Sequence, residues 1–182
     1  MFTNNLFRNA GWLAFASAVL MVAAVASFFF NSTIGGIFMY LFFLLLIGVF
    51  YALYIAHRPE SKGLSLAGLI LVFPAIGMAI AANLGGSTFL VSLWYLFFFL
   101  LFLIFGFLAF RSAKMPRGLA VVALLTGITY LISGVAGFLG NQVIAENVST
   151  FASIFMLVWL VWLWRAFLSK KLATALPATV AN

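Results

Sequence analysis

The chain contains no cysteine, which excludes disulfides, thiol nucleophiles and cysteine-ligated metals. Acidic residues are almost as scarce: Glu60 and Glu146 are the two carboxylates among 182 residues, against nine lysines and arginines and a single histidine, His57. With 6% of its residues charged and 67% hydrophobic, and a mean hydropathy of +1.29, a chain of this size cannot cover itself with a water-soluble surface. No ionisable side chain falls in the middle of any long apolar run, so proton or ion coupling of the usual carboxylate type has nothing to run on. Selectivity-filter runs, GxSxG elbows, HExxH pairs and phosphate loops are absent as well.

What is present is a succession of uncharged runs about the length needed to cross the roughly 30 Å hydrocarbon core of a bilayer. Two of them, 89–110 and 118–139, flank the basic connector 111–117 and set the pattern for the rest. Six spans are predicted, at 10–30, 34–56, 64–82, 89–110, 118–139 and 148–168. None shows period-2 alternation, so helices rather than a closed barrel are expected to satisfy the backbone in lipid. The expected fold is therefore an all-α six-helix transmembrane bundle forming one domain over 1–172, with 173–182 a disordered tail. The first run also resembles a signal peptide, with Ala24-Val25-Ala26 before Ser27. Its place in the repeat described next favours a retained span.

Aligned on itself at an offset of about 55 residues, the chain matches Tyr40-Leu41-Phe42-Phe43 to Tyr95-Leu96-Phe97-Phe98, Ser32-Thr33 to Ser87-Thr88 and Gly63-Leu64 to Gly118-Leu119. Ser149-Thr150 stands at the corresponding place in a blurrier third copy. Three related helical hairpins are the expectation, with the Ser-Thr pairs capping helix starts and Pro116 opening the fifth span.

Position matters more than total in the net charge of +7. Arg8, Arg58, Lys62, Arg111, Lys114, Arg117, Arg165, Lys170 and Lys171 all fall at alternate ends of the spans, and the three intervening connectors hold no lysine or arginine. The positive-inside rule then predicts an N-in/C-in topology with both termini cytoplasmic. The same asymmetry suggests that Arg58, Lys62, Arg111, Lys114, Arg117, Arg165, Lys170 and Lys171 contact anionic lipid headgroups, and it argues against a nucleic-acid footprint. Trp12, Tyr51, Tyr54, Trp159, Trp162 and Trp164 are expected near that interface.

Small residues share arcs on the odd spans: Ala10, Ala14, Ser17 and Ala18 on the first, Pro74, Gly77, Ala81 and Gly85 on the third, and Thr126, Thr129, Ser133, Gly137 and Gly140 on the fifth. These predict spans one, three and five packed through small faces, with the phenylalanine-rich even spans filling gaps and facing lipid.

Candidate chemistry is sparse. Pro74, Gly77, Thr126, Thr129, Tyr130 and Ser133 form either an intramembrane polar pocket or a packing face, and hydroxyls bonded to their own backbone favour packing. His57 and Glu60 bring an imidazole and a carboxylate together in a short connector, where an interfacial turn with local ion pairing is favoured over acid-base catalysis. Glu146, the single outer acid, binds a cation at an outer mouth, solubilises the longest outer loop or helps open the sixth helix, and the last two are favoured. No metal site or cofactor is expected.

At Phe105-Gly106-Phe107-Leu108-Ala109-Phe110-Arg111-Ser112, followed by Met115-Pro116-Arg117-Gly118-Leu119-Ala120, the chain resembles a group of bacterial six- to seven-helix membrane proteins known only as a domain of unknown function. The likeness covers 91–167, with Arg111, Ser112, Pro116 and Arg117 matching the motif. It implies a bacterial inner-membrane location and transfers no catalytic residue.

The leading functional expectation is a non-enzymatic integral membrane protein acting through lipid or membrane-protein contacts, a homo-oligomer included. The alternatives are a small carrier or channel for a neutral solute and a membrane enzyme using His57 and Glu60. Alkaline phosphatase fused within 83–88 is expected to be active, and fused within 111–117 inactive; the reverse result overturns the orientation.

Overall fold

A computed structural model describes residues 2–169, so Lys170, Lys171 and the tail at 173–182 lie outside the described residues. The described residues form six helices: α1 (Phe2–Phe28), α2 (Ser32–His57), α3 (Lys62–Gly85), α4 (Thr88–Arg111), α5 (Arg117–Phe138) and α6 (Gln142–Leu168). Each is long and apolar enough to cross a membrane. The shortest, α5, has 22 residues, which at about 1.5 Å rise per residue still exceeds the roughly 30 Å hydrocarbon core. Every helix packs on its neighbours in the chain, and α1 also packs on α6, which closes the six into a ring.

Local chemistry sets the helix starts. Asn31 Oδ1 accepts from the backbone N–H of Thr33 at 3.0 Å and of Ile34 at 3.1 Å to cap α2. Ser61 caps α3, Ser87 caps α4 and Asn141 caps α6, each by accepting a first-turn N–H. Of the three Ser-Thr pairs, Ser87-Thr88 therefore starts its helix as expected, whereas Asn31 displaces Ser32 by one residue. Ser149 and Thr150 lie inside α6, their hydroxyls donating to the Glu146 carbonyl. Pro116 is the residue before α5 rather than its first.

The sixth span begins six residues before the position expected from hydropathy, at Gln142 rather than 148. The stretch 142–147 is too polar to read as membrane but has a good cap in Asn141, so the expected outer loop is helical. At the other outer turns, Gly86 ends α3 with φ +62° and Gly140 leads into α6 with φ +78°, left-handed conformations that favour glycine. Pro74 sits within α3, which continues unbroken on either side of it.

The core corrects the expected division of labour. The small faces of α1 and α5 are largely buried against the even helices beside them rather than on one another, whereas that of α3 turns outward. The phenylalanines of α2 and α4 point inward as well as outward. Phe50 of α2 meets Phe102 and Phe105 of α4 and Trp159 of α6, with ring centroids 6.3, 5.4 and 5.8 Å apart. Phe102 in turn meets Trp159 at 4.9 Å and Tyr130 of α5 at 6.2 Å. A ring of six helices encloses more space at its axis than alanine and glycine can fill, so large aromatic side chains are drawn to the centre. Trp159, expected at the interface, is for that reason 2% exposed.

Small residues work on the flanks instead. A Cβ at Gly127 would stand 3.2 Å from Phe102 Cβ and 3.3 Å from the Phe99 carbonyl oxygen, and one at Gly68 would stand 2.8 Å from the Phe105 ring. Ala10, Ala14, Ser17 and Ala18 of α1 are buried as expected. The α3 arc is a second correction: Gly77 and Gly85 are exposed, and Ser65, Gly68, Val72, Ala75, Ile76, Ala79 and Ala82 are the residues buried on that helix. The inward face is again mostly small, and the large Ile70 and Phe73 are turned outward at 59% exposure each.

Gly127→Val is expected to destabilise the bundle by about 1–3 kcal/mol through overpacking against backbone, read as a fall in the detergent-solubilised melting temperature. Nothing lies within 4 Å of a Cβ at Gly77, and Gly77→Ala is expected to leave that temperature unchanged or raise it.

Candidate functional site

Alternation of helix direction brings the connectors bearing Arg58 and Arg111 to the same end of the bundle, and a side-chain bond ties them together. Ser112 Oγ donates to Glu60 Oε1 at 2.8 Å, joining the α2–α3 and α4–α5 connectors across 52 residues of sequence. Ser112 Oγ also accepts the Lys114 backbone N–H at 3.3 Å. The other Glu60 oxygen stands 3.9 Å from His57 Nδ1. His57 is the last residue of α2 rather than part of the turn, and it is fully buried against the Phe105 ring. Neither of its ring nitrogens has a hydrogen-bond partner.

His57 and Glu60 therefore do converge, and Ser112, which sequence reasoning passed over, completes the group. Glu60 is the one carboxylate among the cations at this end, and that isolation was the signal that a partner had to be sought for it. Neither residue lines any of the three cavities described next. The arrangement is a buried strut between two turns.

The first cavity, about 450 Å³, lies at the same end, between the α4–α5 connector and the end of α6. Lys114, Met115, Pro116, Trp162, Arg165 and Ser169 line it. Two cations and an exposed indole thus share one recess at the level where the helices leave the apolar region. Arg111 lies over the Phe107 ring at 5.7 Å nearby in the sequence. Arg8, Arg58, Lys62, Arg111 and Arg117 are exposed, and Trp12, Tyr51 and Trp162 are exposed too.

The second cavity, about 490 Å³, is a lateral groove between the outer halves of α1 and α6, lined chiefly by Met21, Val22, Val25, Phe29, Ile154 and Leu157. The third, about 260 Å³, lies at the end opposite the basic connectors, where α3 finishes and α4 and α6 begin.

The intramembrane hydroxyls serve their own helices. Thr126 Oγ1 donates to the Val122 carbonyl at 2.8 Å, Thr129 Oγ1 to Leu125 at 2.9 Å, and Ser133 Oγ to Thr129 at 3.0 Å. Tyr130 is buried with its hydroxyl 3.9 Å from Met156 Sδ. Pro74 and Gly77 are on α3, which does not pack on α5. The structure thus separates the two halves of the residue set considered for a solute pocket, and none of its members lines a described cavity. Among the described residues no three His, Cys, Asp or Glu side chains are grouped to hold a metal ion.

No family model matches the chain, and no solved structure matches it. An uncharacterized protein of Archaeoglobus fulgidus is 29% identical over 129 residues, covering 67% of this chain and 78% of that protein. Six apolar helices and this relative are consistent with an integral membrane protein.

Ser112→Ala is expected to cost about 1.5–3 kcal/mol, the usual range for a hydrogen bond to a charged group. A double-mutant cycle with Glu60→Gln, read by thermal unfolding in detergent, checks it: additive effects would show that the two side chains do not act as a pair.

Proposed function

We propose that this is a non-enzymatic protein of a bacterial cytoplasmic membrane, with both termini inside, that works through lateral contacts with lipids and membrane-protein partners and holds anionic headgroups at its basic end. The observation that carries this reading is the recess between Lys114 and Arg165. A phosphate needs cationic donors at the depth of the headgroup region, and basic recesses between membrane helices supply them. The exposed Trp162 beside it suits the same depth. The short connectors support the reading further: the longest between described helices is 112–116, too short to build a water-soluble domain of its own.

Purification in mild detergent followed by lipid analysis and native mass spectrometry tests this. Phosphatidylglycerol or cardiolipin is expected to be retained in preference to zwitterionic lipid, and Lys114→Gln with Arg165→Gln is expected to reduce retention by about thirtyfold, given about 1 kcal/mol per basic residue near an anionic surface. A protein that keeps no anionic lipid and crosslinks to no membrane partner overturns the reading.

A further inference from the structure

The end of the bundle opposite the basic connectors carries one formal charge among the described residues, Glu146. It stands on α6 one helical turn beyond Gln142, and both face the cavity of about 260 Å³ that α3 and α4 complete. Trp94 and Tyr95 of α4 form the aromatic wall of this cavity, their ring centroids 5.0 Å apart, and Tyr95 lies beside Glu146 and Ser149. Asn83 closes the α3 side; its Nδ2 donates to the Ala79 carbonyl at 2.7 Å, which leaves the side-chain oxygen free to accept.

We infer that this cavity is a binding site for an organic ammonium group. A carboxylate, the acceptor oxygens of two carboxamides and two aromatic rings converge on it, and among the described residues no lysine or arginine lies at this end to compete. Aromatic faces attract a cation through their quadrupole, and an alkylated ammonium is more readily stripped of water than a metal ion. A bare divalent metal would find a single carboxylate, too few hard ligands to replace its hydration shell. The volume is several times the roughly 30 Å³ share of a water molecule, which suits an ammonium bearing a few carbons. Anions are disfavoured by Glu146. The ammonium comes either from a free small amine or from the headgroup of an ethanolamine or choline lipid at the membrane boundary. This inference stands apart from the anionic-lipid reading, at the other end of the molecule.

Calorimetric titration of the detergent-purified protein with choline and with ethanolamine, against the uncharged choline isostere 3,3-dimethylbutanol, is the test. Saturable binding of a cation about thirtyfold tighter than the isostere is expected, since a desolvated cation–π contact is worth about 2 kcal/mol. Glu146→Gln and Trp94→Leu are each expected to weaken it about tenfold, and Trp94→Phe to preserve it. Glu146 is exposed, so its variant is expected to fold, which an unchanged melting temperature verifies. If the free cations fail but nanodiscs containing phosphatidylethanolamine shift the Trp94 environment and phosphatidylglycerol nanodiscs do not, the source is the lipid headgroup. No saturable cation binding in either arm, or binding indifferent to Glu146→Gln, overturns the inference.

Discussion

In lipid, two apolar helices gain nothing from the hydrophobic effect by meeting each other rather than acyl chains, so contact between them depends on shape. The ring of six helices meets this constraint with two kinds of side chain in two places. Glycine and alanine on the flanks let neighbouring backbones approach, as where Gly127 lies against Phe99 and Phe102. Phenylalanine and tryptophan fill the axis, where Phe50, Phe102 and Trp159 from three helices meet. Neither kind suffices alone: small faces without the aromatic centre would leave a void, and aromatic faces on every flank would hold the backbones apart.

The same ring sorts polarity lengthwise. Hydroxyls within the apolar zone satisfy themselves on the preceding turn, as Thr126 and Ser133 do, and so make no demand on a partner helix. Apart from the Tyr130 hydroxyl, which meets Met156 Sδ of α6, polar side-chain bonding that shapes the chain is concentrated at the ends. At the basic end Glu60 and Ser112 join two turns, and at the other end Asn and Ser caps start the helices. The two ends consequently offer different chemistry, cationic at one and acceptor-rich at the other.

Length, hydropathy and the placement of lysine and arginine made the six spans and the common basic end legible in sequence, because each is a local property that needs no knowledge of neighbours. What stayed hidden depended on which way a helix turns. The arc through Pro74, Gly77 and Gly85 is a shared face, but nothing in a single helix says that this face looks outward. Interfacial preference misplaced Trp159 because the need to fill the axis outweighed it. The start of α6 was missed because hydropathy does not register an amphipathic turn capped by Asn141. The Glu60–Ser112 bond joins residues too far apart in sequence for any local pattern to pair them. The cavity holding Glu146 draws on three helices and was legible only as a lone acid.

The contact between α1 and α6 unites the two helices furthest apart in sequence, and it borders the lateral groove lined by Val25 and Leu157. Among these six helices this seam is the last to be sealed during synthesis: the alanine face of α1 can gain α2 early but must wait for α3, α4 and α5 to emerge before α6 arrives. A nascent chain stalled short of α6 therefore offers the membrane an unzipped crescent, and quality-control factors that sense unsatisfied helix faces would find their purchase on α1.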